Sequence, residues 1–226
     1  MSVILSVETS TGICSVALHQ NGRLLACQEL FLEKSHSSLL AILISDILKQ
    51  CDFLMDEISA FAISMGPGSY TGLRIGASTV KGLSYGLDKP VIAVNTLEAM
   101  AYGCNRFNYD RALLCPMIDA RRMEVYCLLM NHRLEIIEET HARIMDEHSF
   151  AGYLSDKKIL FFGNGADKCR EVLRHRQHAA FLEGINPSAM HIGCIASRKF
   201  EQKIFEDVAY FEPFYLKDFK AGKPKK

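Results

Sequence analysis

The stretch SMGPGSYTGLRIG, residues 64–76, follows an apolar run and contains four glycines, one proline and two small hydroxyl residues directly after Gly68 and Tyr70. A strand, a glycine-rich loop and a helix in this order can bind a phosphate, because amide groups at a helix N-terminus point towards an anion. The same stretch can instead bring two backbones together, since glycine has no side chain. The rest of the sequence is needed to decide between phosphate binding and close packing of two backbones.

Known phosphate and nucleophile motifs are not matched by this stretch. A P-loop requires a first glycine, four further residues and then Gly-Lys-Ser/Thr, whereas PGSYTGLR follows Gly66. A dinucleotide-binding loop requires glycine or alanine at position 71, which is threonine. No Gly-x-Ser-x-Gly surrounds Ser69, so Ser69 or Thr71 is predicted to cap the following helix rather than to attack a substrate.

Glu8 ends the first predicted strand and is followed by the hydroxyl-rich turn TSTG. In two-lobed ATPases an acid at this place holds a metal–nucleotide, whereas an ordinary capped turn explains the same residues equally well. Phosphate or nucleotide binding therefore stays open as a hypothesis. Its candidate contacts are Glu8, Thr9, Ser10, Thr11, Gly66, Gly68 and Ser69.

The helix predicted over residues 71–87 is unusually rich in glycine. Each interior glycine costs about 1 kcal/mol relative to alanine, so a compensating interaction is expected. A helical wheel places Gly72, Gly76, Thr79, Val80 and Leu83 on one face, and Ser78, Gly82 and Gly86 on the adjacent one. Small residues four apart allow another backbone to approach closely.

The helix predicted over residues 35–51 also has more apolar surface than one contact requires. Leu39 and Ile42 extend its core stripe to an arc of roughly two-thirds of the circumference, whereas a surface helix needs about 100° or somewhat more. The surplus face indicates a second contact. Either another protein or another part of the same chain can supply it.

Composition indicates an ordinary soluble globular protein of 226 residues with 26 basic and 26 acidic residues. The eight widely spaced cysteines are predicted to be buried thiols in a reducing compartment. The N-terminus has no signal-peptide pattern and no apolar run is long enough to span a membrane, so we expect a cytoplasmic protein. The lysine-rich end, KDFKAGKPKK, is interpreted as a solvated tail or as a contact to RNA or a partner.

The order of predicted elements is the same in both halves of the chain: three strands with hairpin character, a helix, a strand ending in glycine, a helix and a strand. This order predicts an α/β protein with the two-lobed actin-like (ASKHA) ATPase fold, in which duplicated ribonuclease-H-like lobes contain mixed sheets flanked by helices. The predicted lobes are residues 1–104 and 105–226, and the segment from about 210 to 226 either packs back or forms a flexible basic tail.

The other polar clusters have simple structural explanations. His175 and His178 are three apart on a predicted helix, but no further ligand accompanies them, so no metal site is predicted. The sequence DARRMEVY, residues 119–126, offers an arginine pair that can clamp a phosphate or carboxylate. A charged hairpin that forms salt bridges with itself is the equal alternative.

Several stretches together resemble the TsaB family, subunits of the bacterial machinery that makes threonylcarbamoyladenosine at position 37 of tRNA. They are ILSVETST, HSSLL, SMGPGSYTGLRIG, DARRMEVY and EPFYLKD, and the resemblance covers residues 3–220. The family usually has aspartate where this chain has Glu8. The catalytic relative TsaD holds a metal with an HxxxH pair, whereas here Leu40 stands four residues after His36.

The resemblance implies a non-catalytic scaffold that dimerises with TsaD and activates it for threonylcarbamoylation of N6 of adenosine 37. It further implies a TsaE-like ATPase in a larger assembly, a homodimer when the chain is alone, tRNA contact only through the complex, and no cofactor. The alternative is an ASKHA-type ATPase or small-molecule kinase that binds nucleotide between the lobes. The interface implied for the scaffold comprises His36, Leu39, Leu40, Ile42, Leu43, Gly72, Arg74, Ile75, Gly76, Thr79, Val80 and Leu83.

Overall fold

The computed structural model describes residues 2–32 and 36–217. Its helices and strands follow the predicted order. They are β1 (Val3–Glu8), β2 (Cys14–Gln20), β3 (Arg23–Leu30), α1 (His36–Gln50), β4 (Ala60–Gly66), α2 (Tyr70–Leu87), β5 (Val91–Asn95), α3 (Thr96–Asn105), β6 (Leu113–Asp119), β7 (Glu124–Met130), β8 (Ile136–Ile144), α4 (Ala151–Leu154), β9 (Ile159–Phe162), α5 (Arg170–Leu173), β10 (Ala179–Leu182) and α6 (Ala189–Glu201).

Two five-stranded mixed sheets form the two lobes. The first has the order β3-β2-β1-β4-β5 and the second the order β10-β9-β6-β7-β8, so each contains an antiparallel meander followed by two parallel strands. The turn at Asn21 and Gly22 joins β2 to β3, as the Asn-Gly pair predicts. The duplicated mixed-sheet architecture is confirmed.

The helices do not stay with the sheet that precedes them in the chain. α1 and α2 cover one face of the first sheet, whereas its other face is covered by α6 from the far end of the chain. α3, which follows β5, packs mainly on β6 of the second sheet. α3 and α6 also contact each other, so the space between the two sheets is filled by these two helices. The lobe boundary between residues 104 and 105 stays a prediction.

The larger differences from the sequence prediction lie in the second half. The sequence predicts two helices here, near residues 146–155 and 166–176. They shrink to the single turns α4 and α5, so His175 and His178 lie beyond a helix. β8 begins at Ile136 because Leu134 adopts a left-handed turn conformation, with φ of 63°. α6 ends at Glu201, shortly before the left-handed Lys203. The strongly periodic first half matches the prediction more closely.

Residues 206–217, called here the C-terminal segment, return to the first lobe. The amide of Glu206 donates to Val91 O, and Phe211 is buried in the core beneath α2. The Lys81 ammonium group donates to the carbonyls of Ala209 and Phe211, which fastens the segment to α2. The part of the predicted basic tail from 218 to 226 lies outside the described residues.

All eight cysteines are free thiols, five of them buried and three half-buried. Within residues 2–32 and 36–217 there is no helix with the length and apolar character that crossing a membrane requires.

Candidate functional site

The glycine-rich loop packs against the turn that follows β1 in the same chain. Thr9 Oγ1 donates to Gly72 O at 2.8 Å, and Ser69 N donates to Ser10 O at 2.6 Å. A Cβ atom at Gly72 would lie 2.1 Å from Thr9 O, and one at Gly76 would lie 2.4 Å from Thr9 Oγ1. The close approach is therefore made by the chain's own turn, which corrects the expectation that these glycines admit the backbone of a partner.

Ser69 caps α2, and it is one of the two residues, Ser69 and Thr71, that the sequence predicts for this cap. Its hydroxyl accepts a hydrogen bond from Gly72 N, while Thr71 is exposed within the first turn of the helix. The cap and the Thr9 contact together fix the start of α2 on the first sheet.

The residues predicted for a partner interface divide into two groups by burial. His36, Leu40, Leu43, Gly72, Gly76 and Val80 are buried within the chain. Their burial leaves little of their surface for a contact with another protein, and the partner interface itself stays a prediction. Leu39, Ile42, Arg74, Ile75, Thr79 and Leu83 are half-buried or exposed.

A mainly apolar groove of about 600 Å³ lies between α1 and α2. Ile42 and Leu54 at this side are 53% and 68% exposed, and Tyr85 on α2 is 87% exposed. Ser78, Gly82 and Gly86 are also exposed, and Cβ atoms built at the two glycines would meet nothing within 4 Å. We call this region the outer α1–α2 surface. Leu54 and Tyr85 belong to it, although no sequence pattern predicts their exposure. Its groove is lined by Ala41, Ile44, Ser45, Leu48, Lys49, Asp52, Phe53, Leu54, Met55, Thr79 and Leu83.

A larger cleft of about 1250 Å³ separates the two lobes. The TSTG turn, the glycine-rich loop and the start of α2 line it from the first lobe, and residues 118–122 line it from the second. Of the predicted phosphate contacts, Ser10, Thr11, Gly68 and Ser69 line this cleft. Glu8, Thr9 and Gly66 are not among its lining residues.

Glu8 lies fully buried at the end of β1. Its Oε1 accepts a hydrogen bond from Ser10 N at 2.5 Å, while Oε2 has no partner among the described residues. Burial raises the pKa of this carboxyl above its usual range. Glu8 therefore braces the turn and does not reach the cleft.

Arg121 and Arg122 are two exposed cations in the lining of the cleft. Both adopt left-handed backbone conformations after β6, both are exposed, and neither forms an ion pair with any residue that the structure describes. The acids of this hairpin pair elsewhere, Asp119 with Lys168 and Glu124 with Lys217. The self-contained salt bridge considered from the sequence is therefore not formed by the arginines, and the pair can meet an anion.

His36 does not form part of a metal cluster. Its Nε2 lies 2.7 Å from Thr11 O, and Leu40 one turn later is buried in the apolar core. Among the described residues, no group of three or more histidines, cysteines and carboxylates is arranged to hold a metal ion.

Comparison of the sequence with protein families gives a match over residues 31–225 to the model described as "TsaD: tRNA N6-adenosine threonylcarbamoyltransferase". The Bacillus subtilis tRNA threonylcarbamoyladenosine biosynthesis protein TsaB is 30% identical over 176 residues, which are 75% of this chain and 74% of that protein. The Escherichia coli TsaB is 41% identical over 123 residues, which are 54% of this chain and 52% of that one. The chain thus spans about half the length of the latter relative.

Solved structures agree with this grouping. YeaZ from Pseudomonas aeruginosa superposes with a TM-score of 0.81 at 26% identity, covering 96% of this chain and 100% of that one. An activator of 2-hydroxyisocaproyl-CoA dehydratase from Clostridium difficile, solved with bound ADPNP, has a TM-score of 0.51 at 8% identity, with 91% and 98% coverage. The second likeness concerns the fold alone and confirms the predicted ASKHA class.

Proposed function

The chain belongs to the TsaB family, and from this premise we propose that it is a non-catalytic subunit of tRNA threonylcarbamoyladenosine biosynthesis that dimerises with a TsaD-like transferase and activates it. The observation that carries the proposal is the outer α1–α2 surface. It combines exposed apolar side chains, an apolar groove and two solvent-facing helix glycines on one side of the first lobe.

The outer α1–α2 surface is not needed to build the lobe. The inner sides of both helices pack on the first sheet through buried residues such as Leu40, Ile47 and Val80. The principal contacts of α1 and α2 are with each other and with strands of that sheet, so the second lobe leaves their outer side open. An apolar surface left open in this way is typical of a protein interface.

Gly82 and Gly86 support a contact with a helix of the partner. Each costs the isolated helix about 1 kcal/mol relative to alanine, and neither is required by a neighbour within the chain. With Ser78 they form an exposed strip of small residues along α2, on which a partner helix can lie close to the backbone. A helical partner surface therefore fits this strip better than an irregular loop does.

A TsaD-like subunit is the partner that we propose for this surface. The TsaD family model matches residues 31–225, a range that includes both α1 and α2. A partner with a related fold can present equivalent helices, which gives a pseudo-symmetric pair, and two copies of this chain can pair in the same manner when alone. A partner that binds best to the active conformation of the transferase increases the population of that conformation.

Assignment of the chemistry to the partner is supported by the α1 residues. Leu40 occupies the position one turn after His36 and is buried among apolar side chains, so it cannot complete a two-histidine metal site. In the proposed assembly the transferase catalyses group transfer, a TsaE-like ATPase joins the pair, and the present chain acts in the cytoplasm as the scaffold.

The test is the affinity of the full chain for a TsaD-like transferase, measured by isothermal titration calorimetry. Gly82→Arg and Ile42→Asp place a large or charged side chain on the outer α1–α2 surface and are expected to abolish the heterodimer without unfolding the chain. Gly152→Arg and Ile144→Asp are the matched controls, because Gly152 is also open to solvent and Ile144 is 74% exposed on the second lobe. Wild-type affinity in both surface variants would refute the interface.

A nucleotide or other phosphate ligand in the interlobe cleft is the second candidate function. It is favoured by Arg121 and Arg122, which form no ion pair with any described residue and line the same cleft as the capped N-terminus of α2. The buried position of Glu8 weighs against metal-dependent phosphate chemistry in the lone chain. Calorimetric titration with ATP and Mg²⁺ tests it. Binding by the wild type that the Arg121→Gln/Arg122→Gln variant loses supports a cleft ligand. A titration of the wild type that gives no heat of binding excludes one.

A further inference from the structure

The loop between α3 and β6, residues 106–112, exposes two aromatic rings that the chain does not use. Phe107 is 65% exposed and Tyr109 is 86% exposed. The guanidinium group of Arg106 lies 5.1 Å from the centre of the Phe107 ring, and Arg111 is exposed in a left-handed conformation. We call residues 106–112 the aromatic loop.

The aromatic loop is held in shape by its own hydrogen bonds. The buried Asn108 side chain donates to Ala112 O and accepts from Ala112 N, both at 2.9 Å. The Phe107 amide also donates to Cys104 O at the end of α3. Because the backbone is fixed in this way, the rings at 107 and 109 are presented to solvent at little further cost in conformational entropy.

The surroundings of the loop are cationic. Its acid, Asp110, is paired with Lys158 at 2.5 Å. Arg198 on α6 lies 5.1 Å above the ring of Tyr102 on α3. Burial raises the pKa of Cys194, and the nearby positive charges of Arg198 and Arg106 both oppose this rise. The two arginines therefore lie in one region, around Cys194. Glu201, one turn after Arg198, is the acid on that side of α6.

We propose that the aromatic loop is a binding surface for unpaired bases of RNA. Exposed aromatic rings provide stacking platforms for bases, and arginines beside them meet the phosphates. The inference rests on the proposed function, since that function puts an RNA in the assembly. It differs from the expectation that this chain meets tRNA only through the complex, because here the chain itself contacts the RNA. A protein partner is the other class of occupant, and the two arginine–aromatic pairs together with the neutralised acid favour RNA over it.

The position of the loop makes the surface separable from the other two sites. It precedes Leu113 at the start of β6, whereas the cleft lies beyond Asp119 at the end of that strand. Seven residues of extended strand place the two about 20 Å apart. The outer α1–α2 surface lies on the opposite face of the first sheet from α6, which α3 contacts. Variants of the loop can therefore be examined without altering the cleft or the outer α1–α2 surface.

The experiment measures fluorescence anisotropy of a labelled single-stranded oligoribonucleotide and of an unmodified tRNA with the full chain, alone and mixed with the TsaD-like transferase. Phe107→Ala and Tyr109→Ala are each expected to weaken binding at least fivefold. Arg106→Gln is expected to lower the slope of log affinity against log salt by about 0.7. Tyr210→Ala and Arg174→Gln, which remove an exposed ring and an exposed charge elsewhere, are the controls.

The outcomes separate this proposal from the scaffold function. Loss of RNA binding in the loop variants with an intact heterodimer supports it, and loss of the heterodimer in Gly82→Arg with unchanged RNA binding by the lone chain shows the two sites to be independent. Absence of RNA binding both alone and in the mixture, or equal affinity in loop and control variants, overturns it. Weaker binding of the transferase in the loop variants, with RNA binding unchanged, assigns the surface to a protein and overturns it as well.

Discussion

Gly76 and Gly82 lie on the same helix, α2, yet substitution by alanine is expected to change the free energy of unfolding in opposite directions. A methyl group at Gly76 meets Thr9 Oγ1 at 2.4 Å and disturbs its hydrogen bond to Gly72 O, so a loss of about 1–3 kcal/mol is expected. A methyl group at Gly82 meets nothing, so helix propensity gives a gain of up to about 1 kcal/mol. Urea unfolding of both variants measures the difference; equal effects would contradict the assignment of inner and outer faces.

A second single residue, His19, makes the free energy of unfolding depend on pH. The side chain is buried on β2, with Nε2 lying 3.7 Å from Cys194 Sγ and Nδ1 without a partner among the described residues. Burial, with a smaller contribution from His191, lowers its pKa from 6.5 to about 4. The folded state therefore binds the proton less tightly than the unfolded state. This contribution to stability is fully present above pH 6.5 and decreases as the pH falls towards 4.

The expected loss from His19 amounts to about 3 kcal/mol at pH 4. His19→Phe removes the titrating group and keeps an aromatic ring of similar size. The difference in unfolding free energy between wild type and variant, measured by urea denaturation from pH 7.5 to 4, should narrow or reverse in favour of the variant as the pH falls. A difference that does not change with pH would show that His19 does not carry this dependence.

At the scale of the element, the C-terminal segment stabilises α2 through one buried ring. Phe211 packs into the core of the first lobe, and its carbonyl oxygen accepts a hydrogen bond from Lys81. Phe211→Ala is expected to cost about 3 kcal/mol of unfolding free energy. Tyr210→Ala is the control, since Tyr210 is 84% exposed and its loss should stay within about 0.5 kcal/mol. Thermal unfolding monitored by circular dichroism compares the two, and similar midpoints would mean that the segment is not part of the core.

Sequence periodicity was sufficient to predict most helices and strands, but not to predict which face of α2 packs on the sheet. The apolar stripe of α1 and the alternating or buried runs of the strands follow from local patterns, and the ends of β2 and β3 follow from Asn21-Gly22. α2 has two neighbouring small faces, and a helical wheel does not tell which one meets the sheet. Only the three-dimensional position of Thr9 shows that Gly76 faces inward and Gly82 outward.

The candidate site was predictable to a similar degree. The glycine-rich loop and the DARRMEVY hairpin, which the sequence presents as two separate candidate anion sites, line one cleft. The burial of Glu8 could not be foreseen, because it depends on how the turn after β1 folds over the strand end. Tyr85 and the rings of the aromatic loop were also missed, since an isolated aromatic residue in a sequence does not reveal its exposure.

At the scale of the whole molecule, the exchange of helices between the sheets makes each half dependent on the other. Ile192 and Ala196 of α6 are buried against the first sheet, where they cover residues such as Ile4 and Ile92. α3, from the first half, buries Leu97 and other apolar side chains against the second sheet. Cutting the chain between residues 104 and 105 therefore removes an essential covering helix from both products.

We accordingly expect the fragment 1–104 alone to lack a cooperative unfolding transition, because the face of its sheet that α6 covers becomes exposed to water. Mixing it with the fragment 105–226 should restore a folded complex, because the same buried contacts re-form between the two chains. Near-ultraviolet circular dichroism and thermal unfolding of each fragment, of the mixture and of the intact chain provide the measurement. A sharp, reversible transition of fragment 1–104 by itself would show that the first lobe is an independent folding unit, and that α6 serves to join the lobes instead of completing them.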